Sequence, residues 1–378
     1  MDKVYEDSLD LHRKNRGKIE IKSKVKIENK SDLALAYTPG VGYVSSEIGK
    51  DKKLARELTL KGNSVAVVSD GSAILGLGNL GPEAAIPVME GKAALFKRFA
   101  NIDAFPICLD TQDTEEIIKA VKYIAPVFGG INLEDIAAPR CFEIERRLRE
   151  ELSIPVMHDD QHGTAIVVLA GLINAVKVAG LEKNKARVVI SGAGAAGVAV
   201  TKMLLSFGFE DIVVCDSQGA LNEKRNDLVN EKKELSMTTN PRGVAGRLGQ
   251  VIAGADIFIG VSRAGVLTEE MVRSMNKKPI IFAMANPVPE IMPDIARKAG
   301  AFVVATGRSD FPNQVNNVLA FPGIFRGALD NNIGQFENKM FLKAAENLAA
   351  FVKEPDAEHI LPSVFENGIA ESIADAIR

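Results

Sequence analysis

The chain has 378 residues, 46% hydrophobic, 25% charged and 6% aromatic, which suits two compact domains at about 150 residues each. Forty-nine acids against 46 bases leave a net charge of -3, so no bulk basic field draws in nucleic acid or anionic lipid. Cys108, Cys141 and Cys215 are too few and scattered for a disulfide framework, and the charged start MDKVYEDSLD lacks the apolar core of a signal peptide.

Short β-branched apolar runs recur along the chain: 65–68, 104–109, 188–190, 212–215, 257–261, 280–285 and 302–305. They read as strands buried on both faces. Amphipathic segments such as 114–124, 143–152 and 198–207 lie between many of them. This alternation predicts an α/β fold with parallel sheets covered by helices. The most apolar stretch, 165–173, stops at Asn174 and falls short of the roughly 20 residues of a membrane helix. A cytoplasmic chain with no membrane or nucleic-acid partner is expected.

Early in the chain, Tyr37 stands in LAYTPGV ahead of a proline–glycine turn. On its own a tyrosine there reads as a packing residue. G-x-G-x-x-G then occurs first as Gly76, Gly78 and Gly81, running straight into Pro82 with no acid at a following strand end. It predicts a tight loop. Lys92 comes next in PVMEGKAALF, at an apolar helix start. Such a lysine is ordinarily solvated; to act as a base near neutrality it must lose roughly 2–3 pKa units, which burial beside a cation supplies.

Two acidic pairs lie further on, Glu134–Asp135 in GGINLEDIAAP and Asp159–Asp160 in VMHDDQHGTA. Held together they need a cation, and oxygen donors favour Mg²⁺ or Mn²⁺. Held apart they are four solvated loop carboxylates, and residue types alone leave both open. His158 and His162 have the spacing of a zinc-binding helix, which raises a metallohydrolase. The glutamate that zinc proteases place after the first histidine is missing, and Pro155 and Gly163 predict a loop. A domain boundary near 153–163 precedes a helix expected at 164–179.

The second G-x-G-x-x-G, Gly192, Gly194 and Gly197, comes after strand 187–190 and opens a helix, with Asp216 closing the next strand. That context is a dinucleotide fingerprint. Asp216 suits the ribose of NAD, while Lys224 and Arg225 could offset its repulsion of a 2′-phosphate. The polar residues 216–247 read as a surface excursion. Asn286 in ANPVPE, and Asn316 and Asn317 in PNQVNN, come after strands, where ligands collect or where asparagine caps a helix.

Taken together, AYTPGV, VVSDGSAILGLGNLGP, PVMEGKAALFK, GGINLEDIAAPRCF, HDDQHGTA, SGAGAAG, IFAMANPVPE and TGRSDFPNQVNNVLAFPGI resemble the malic enzymes, in particular their small bacterial-type branch. The resemblance spans nearly the whole chain. It implies an N-terminal α/β domain over 1–160 and a Rossmann-like, doubly wound domain with C-terminal helices over 161–378. The implied reaction is oxidative decarboxylation of (S)-malate to pyruvate and CO₂, with reduction of NAD or NADP, dependent on Mg²⁺ or Mn²⁺.

The same resemblance implies residue roles. Tyr37 falls on the general acid and Lys92 on the general base, which also touches substrate. Glu134, Asp135 and Asp160 fall on the metal ligands, with Asp159 an acid behind them. Cofactor contacts fall on Gly192, Gly194, Ala195, Ala196, Gly197, Asp216, Ser262 and Asn286, and Asn286 and Asn317 fall on substrate ligands. The family also has an acid at Asp216 in NADP users. Larger members carry a substrate-clamping arginine where this chain has Ala73, beside Ser72; Arg308 is the expected replacement. A homodimer is implied as well. Two other classes stay open, a dehydrogenase without decarboxylation and a nucleotide-sensing protein without turnover; the paired acids, Lys92 and Tyr37 speak against both.

Overall fold

A computed structural model describes residues 2–378 of the chain. Two sheets organise it. The first contains β1 (Ser64–Ser69), β2 (Asp103–Cys108), β3 (Gly130–Leu133) and β4 (Val156–His158), all parallel, in the order β2-β1-β3-β4. The second contains β5 (Arg187–Ser191), β6 (Asp211–Asp216), β7 (Gly219–Ala220), β8 (Ile257–Gly260), β9 (Ile280–Ala283) and β10 (Val303–Thr306), in the order β10-β9-β8-β5-β6-β7. Only β7 runs antiparallel to its neighbour. Most of the apolar runs behave as expected of strands covered on both faces: every residue of β1, β3, β8, β9 and β10 is buried, whereas β2, at the edge of its sheet, is half-buried throughout.

Each sheet reverses its winding once. From β1 the chain moves outward to β2 and then returns to the other side as β3; from β5 it moves to β6 and β7 and returns as β8. The carboxyl ends of β1/β3 and of β5/β8 are therefore switch points, where a crevice opens beyond the strands. Asp70 and Glu134 stand just past β1 and β3; Gly192 and Val261 stand just past β5 and β8.

The two sheets share one core. Val65 and Val67 of β1, the buried length of helix Asp159–Ala179, and Val188 and Ile190 of β5 form a continuous apolar cluster with the C-terminal helices Phe321–Asp330, Asn338–Phe351 and Ile369–Ala374. Phe96, on helix Pro82–Ala100, meets Phe321 edge-to-face at 4.6 Å and Phe325 at 5.5 Å. The C-terminal segment is thus clamped onto the first sheet's helix. Helix Asp159–Ala179 is long and apolar enough to cross a membrane by length and composition, yet 72% of its most apolar window is buried in this core.

One expectation fails here. His158 ends β4 and His162 sits in the first turn of helix Asp159–Ala179, so HDDQHG is a strand end and a helix start, not a loop. Two aspartates in a first turn complement the helix dipole, and Gly163 is accommodated because most of the helix is buried and a Cβ there would strike Asp159. Residues 216–247 carry the short β7 and helix Asn230–Thr238, with Leu221 and Leu235 buried, so this excursion is partly tucked in.

Candidate active site

Lys92, on helix Pro82–Ala100, is buried with its Nζ 2.7 Å from Asp159 Oδ2 and 3.0 Å from Glu134 Oε1, and 4.4 Å from the centre of the Phe321 ring. Burial pushes its pKa down, but the charges of Asp159 and Glu134 outweigh that, and the net shift is upward. The lysine is therefore buried rather than solvated, and two carboxylates hold its ammonium charged.

Glu134, Asp135 and Asp160 bring one carboxylate oxygen each within 4.8 Å of the others. Burial raises all three, and neighbouring acids add to it (Asp160 on Glu134, Asp160 and Glu134 on Asp135, Asp159 on Asp160), against the pull of Lys92. Asp135 holds the left-handed region at φ 54°, an uncommon conformation for a residue with a side chain. Its N–H donates to Asp160 Oδ2 at 2.9 Å, and its Oδ2 is buried without a hydrogen bond. Three raised carboxylates and an orphaned buried oxygen are what a hard divalent cation would satisfy. The residues fit Mg²⁺ or Mn²⁺.

Several neighbours that position this cluster carry no sequence signal. Asn132 donates to Glu134 Oε2 at 2.9 Å. Glu145 is buried on helix Arg140–Glu151 and accepts from the His158 N–H (3.0 Å), from Gln161 Nε2 (3.1 Å) and at 2.9 Å from His162 Nε2. Burial drives His158 down to about 4, so it is neutral. Its Nδ1, 3.2 Å from the Gln161 amide, accepts, which leaves the proton on Nε2, 3.3 Å from Asp160 Oδ2. From sequence Glu145 is one charge among many on an amphipathic helix.

The two G-x-G-x-x-G copies separate as expected. The first is a loop closed by the Leu77 N–H donating to the Ile74 carbonyl, and a Cβ on Gly76 would stand 2.6 Å from the carbonyl of Asn286. In the second, a Cβ on Gly192 would strike the Val261 carbonyl at 2.5 Å, and one on Gly197 the Gly192 carbonyl at 1.9 Å, while Gly194 faces open space. Gly194 caps helix Ala195–Phe207 without a side chain, and Ala195 and Ala196 form its first turn. Exposed N–H groups at a helix start, with no Cβ in front of them, form a pyrophosphate cradle. Ser191, Gly194, Asp216, Lys232 and Ser262 line the same cleft, as does Ala138, three residues beyond Asp135.

Asp216 is more engaged than expected. Its Oδ1 accepts from the Gln218 N–H (2.9 Å) and Arg225 Nη1 (2.8 Å), and its Oδ2 from Arg225 Nη2 (3.1 Å) and Lys232 Nζ (3.0 Å). Burial raises it, but these bonds prevail and hold it at about 2. Lys232, not Lys224, joins Arg225 there. Glu290, also absent from the sequence reading, is fully buried and accepts from the N–H groups of Ser262 and Ala285, both at 2.9 Å, tying the ends of β8 and β9 together.

Among the expected substrate ligands, Asn317 lies beside Asp159: a Cβ on Gly163 would be 1.8 Å from Asp159 Oδ1 and 3.2 Å from Asn317 Cβ. Asn286 packs against Gly307 and, through its carbonyl, Gly76. Arg308 donates from Nε and Nη2 to Asp310 at 2.8 and 2.6 Å. Ala73, where the clamp arginine is missing, donates its N–H to the Asp135 carbonyl at 3.0 Å. Tyr37 is not brought to this cluster: it is 63% exposed on a helical arm that holds no buried residue.

Comparison with known proteins identifies the family. Residues 16–149 match the family model described as malic enzyme, N-terminal domain, and residues 161–377 the one described as malic enzyme, NAD binding domain. The chain is 56% identical to the bifunctional malic/malolactic enzyme of Bacillus subtilis over 99% of its own length and 92% of that protein's. It is 55% identical to the NAD-dependent malic enzyme of Geobacillus stearothermophilus over 96% of this chain and 76% of that one. A crystal structure of the NAD-dependent malic enzyme from Thermotoga maritima superposes with a TM-score of 0.95 at 50% identity, covering 98% of both chains. The chain belongs to the malic enzyme family.

Proposed function

We propose that Lys92, the Glu134–Asp135–Asp160 trio and the glycine turn at Gly192 carry out the malic enzyme reaction in this chain: oxidative decarboxylation of (S)-malate to pyruvate and CO₂, with reduction of NAD or NADP and a divalent cation. The observation that supports this reading most is the buried Lys92–Asp159 pair standing directly against three convergent carboxylates. We take 1–160 as the catalytic domain and 161–378 as the dinucleotide domain, and we place the enzyme in the cytoplasm, in keeping with its three free thiols.

Lys92 removes the C2 hydroxyl proton as hydride leaves C2. Asp159, 2.7 Å from the amine, fixes its direction and takes up part of its charge. When bound, the cation supplies the positive charge that draws electrons toward the C2 oxygen and lowers the proton affinity of Lys92, and the nicotinamide accepts the hydride. Oxaloacetate is a β-keto acid and loses its C4 carboxylate once the C2 oxygen is stabilised. Tyr37 then protonates C3 of enolpyruvate. Asn317, beside Asp159, and Asn286 orient the substrate carboxylates, with Arg308 as the cationic partner in place of Ala73. Ser262, held through its N–H by Glu290, contacts the cofactor.

The test is one assay: malate with NAD or NADP, with and without Mn²⁺, following reduced nicotinamide and CO₂. Equimolar release of both, only with metal, is expected; reduced nicotinamide without CO₂ would favour a simple dehydrogenase.

A further inference from the structure

Among the described residues Glu145 pairs with neither Lys92 nor the carboxylate trio, yet it grips the turn that carries Asp159 and Asp160 from both sides. Its Oε1 accepts from the His158 N–H at 3.0 Å and from His162 Nε2 at 2.9 Å, and its Oε2 accepts from Gln161 Nε2 at 3.1 Å. His158 comes just before the two aspartates; Gln161 and His162 come just after. The His162 ring stacks on Phe341 at 4.9 Å, so the C-terminal helix Asn338–Phe351 backs the same contact.

Donor and acceptor roles follow from that carboxylate one bond at a time. Burial raises Glu145, but His162 and the His158 N–H outweigh it and the net shift is downward; an ionised carboxylate only accepts. Gln161 therefore turns its amide nitrogen toward Glu145, and the second N–H of that nitrogen faces His158 Nδ1 at 3.2 Å. Nδ1 accepts, which puts the imidazole proton on Nε2. His158 is fully buried, and its Nε2 has no hydrogen bond of its own; it stands 3.3 Å from Asp160 Oδ2, the oxygen that accepts from the Asp135 N–H. In the opposite tautomer two lone pairs would face each other across that gap.

We propose that Glu145 is a positioning residue of the malic enzyme reaction: acting through Gln161 and His158, it sets how firmly Asp160 is presented to a divalent cation. This rests on the reading of Glu134, Asp135 and Asp160 as that cation's ligands. Partners that orient a ligating carboxylate from behind are worth roughly 10–100-fold in metal affinity. Glu145→Gln inverts the chain of bonds. The new amide offers an N–H where the carboxylate accepted, Gln161 turns its carbonyl to meet it, and His158 must carry its proton on Nδ1. A lone pair then points at Asp160.

Electron paramagnetic resonance of Mn²⁺ titrated into the full chain tests this without turnover. Glu145→Gln is expected to weaken Mn²⁺ by roughly 10–100-fold, while NADH binding, read by fluorescence, stays within about twofold. A double-mutant cycle separates positioning from general loosening. His158→Gln keeps an amide donor that can face Asp160 whatever Gln161 does, so in that background the loss from Glu145→Gln should shrink to within about twofold. Nitrogen-15 spectra of the chain's four histidines give an independent signature: the His158 proton is expected on Nε2 in the wild type and on Nδ1 in Glu145→Gln. Equal Mn²⁺ affinity of wild type and Glu145→Gln would overturn the proposal, as would a loss that persists in full beside His158→Gln or a wild-type proton already on Nδ1. Should Glu145→Gln not fold, Gln161→Ala cuts the same link and is expected to weaken Mn²⁺ about tenfold; unchanged affinity there overturns the proposal equally. If the wild-type protein itself takes up no Mn²⁺, the reading of the trio fails and the proposal with it, and that is visible before any variant is compared.

Discussion

Lys92 Nζ lies 2.7 Å from Asp159 Oδ2, with the lysine 7% exposed and the aspartate fully enclosed. A buried pair of this kind is kept at a cost in desolvation that only additional partners offset; here Glu134, 3.0 Å from the ammonium, and Asp160 are those partners. In the proposed mechanism proton transfer begins at this pair. Lys92→Ala is expected to lose overall turnover by roughly 10²–10⁴-fold while NAD affinity stays within a factor of about two. Near-wild-type turnover in steady-state assays would remove the lysine from the mechanism.

Tyr37→Phe is expected to spare hydride transfer and impair the later protonation of C3. Exchange of the C3 hydrogens of pyruvate with solvent, monitored by NMR, should slow by roughly 10²-fold, while reduction of oxaloacetate by NADH continues.

The raised carboxylates give a pH signature. Glu134, Asp135 and Asp160 bind protons more tightly when folded and metal-free than when unfolded, so the metal-free protein loses stability as pH rises through the window from ordinary carboxylate values toward neutrality and just above. A cation removes that penalty. The gap in Tm between Mn²⁺-loaded and EDTA-treated protein should widen from about pH 6 to about pH 8. A gap that stays constant or narrows in differential scanning calorimetry would contradict this.

Gly163 is required by its neighbours. A methyl group there would stand 1.8 Å from Asp159 Oδ1, displacing the carboxylate that accepts from Lys92. Although Gly→Ala ordinarily favours a helix, Gly163→Ala is expected to lower kcat on the order of 10²-fold, the scale set by a displacement of about 1 Å at a reacting group. Dinucleotide binding, measured by NADH fluorescence, should remain.

The Asp216 site predicts cofactor choice. All four acceptor positions of its carboxylate are filled by Gln218, Arg225 and Lys232, so a ribose diol must displace a bond, whereas a 2′-phosphate gains two cations. Calorimetry should show 2′,5′-ADP binding no worse than ADP, and Arg225→Gln should weaken 2′,5′-ADP by roughly tenfold more than ADP.

The strands and the dinucleotide turn were legible because local rules dictate them: β-branched runs for buried parallel strands, and glycines where a Cβ would strike the Val261 or Gly192 carbonyls. The trio was legible as acids at strand ends. The start of helix Asp159–Ala179 was not, since Pro155 and Gly163 suggested a loop and the packing around the helix overrode them. Lys92 reads from sequence as an ordinary solvated lysine, because its contacts with Glu134 and Asp159 depend on a spatial juxtaposition that spacing does not reveal. Glu145 and Glu290 escaped notice for the same reason: each is one polar residue in an ordinary segment, and only the tertiary fold buries it against several N–H donors.

The central claim is that Glu134, Asp135 and Asp160 form one divalent-cation site against Lys92. Electron paramagnetic resonance of Mn²⁺ titrated into the protein, wild type against Asp160→Asn, tests it most directly. One saturable site per chain, lost or weakened by at least about tenfold in the variant, is the result the geometry predicts; equal Mn²⁺ binding by both proteins would contradict it.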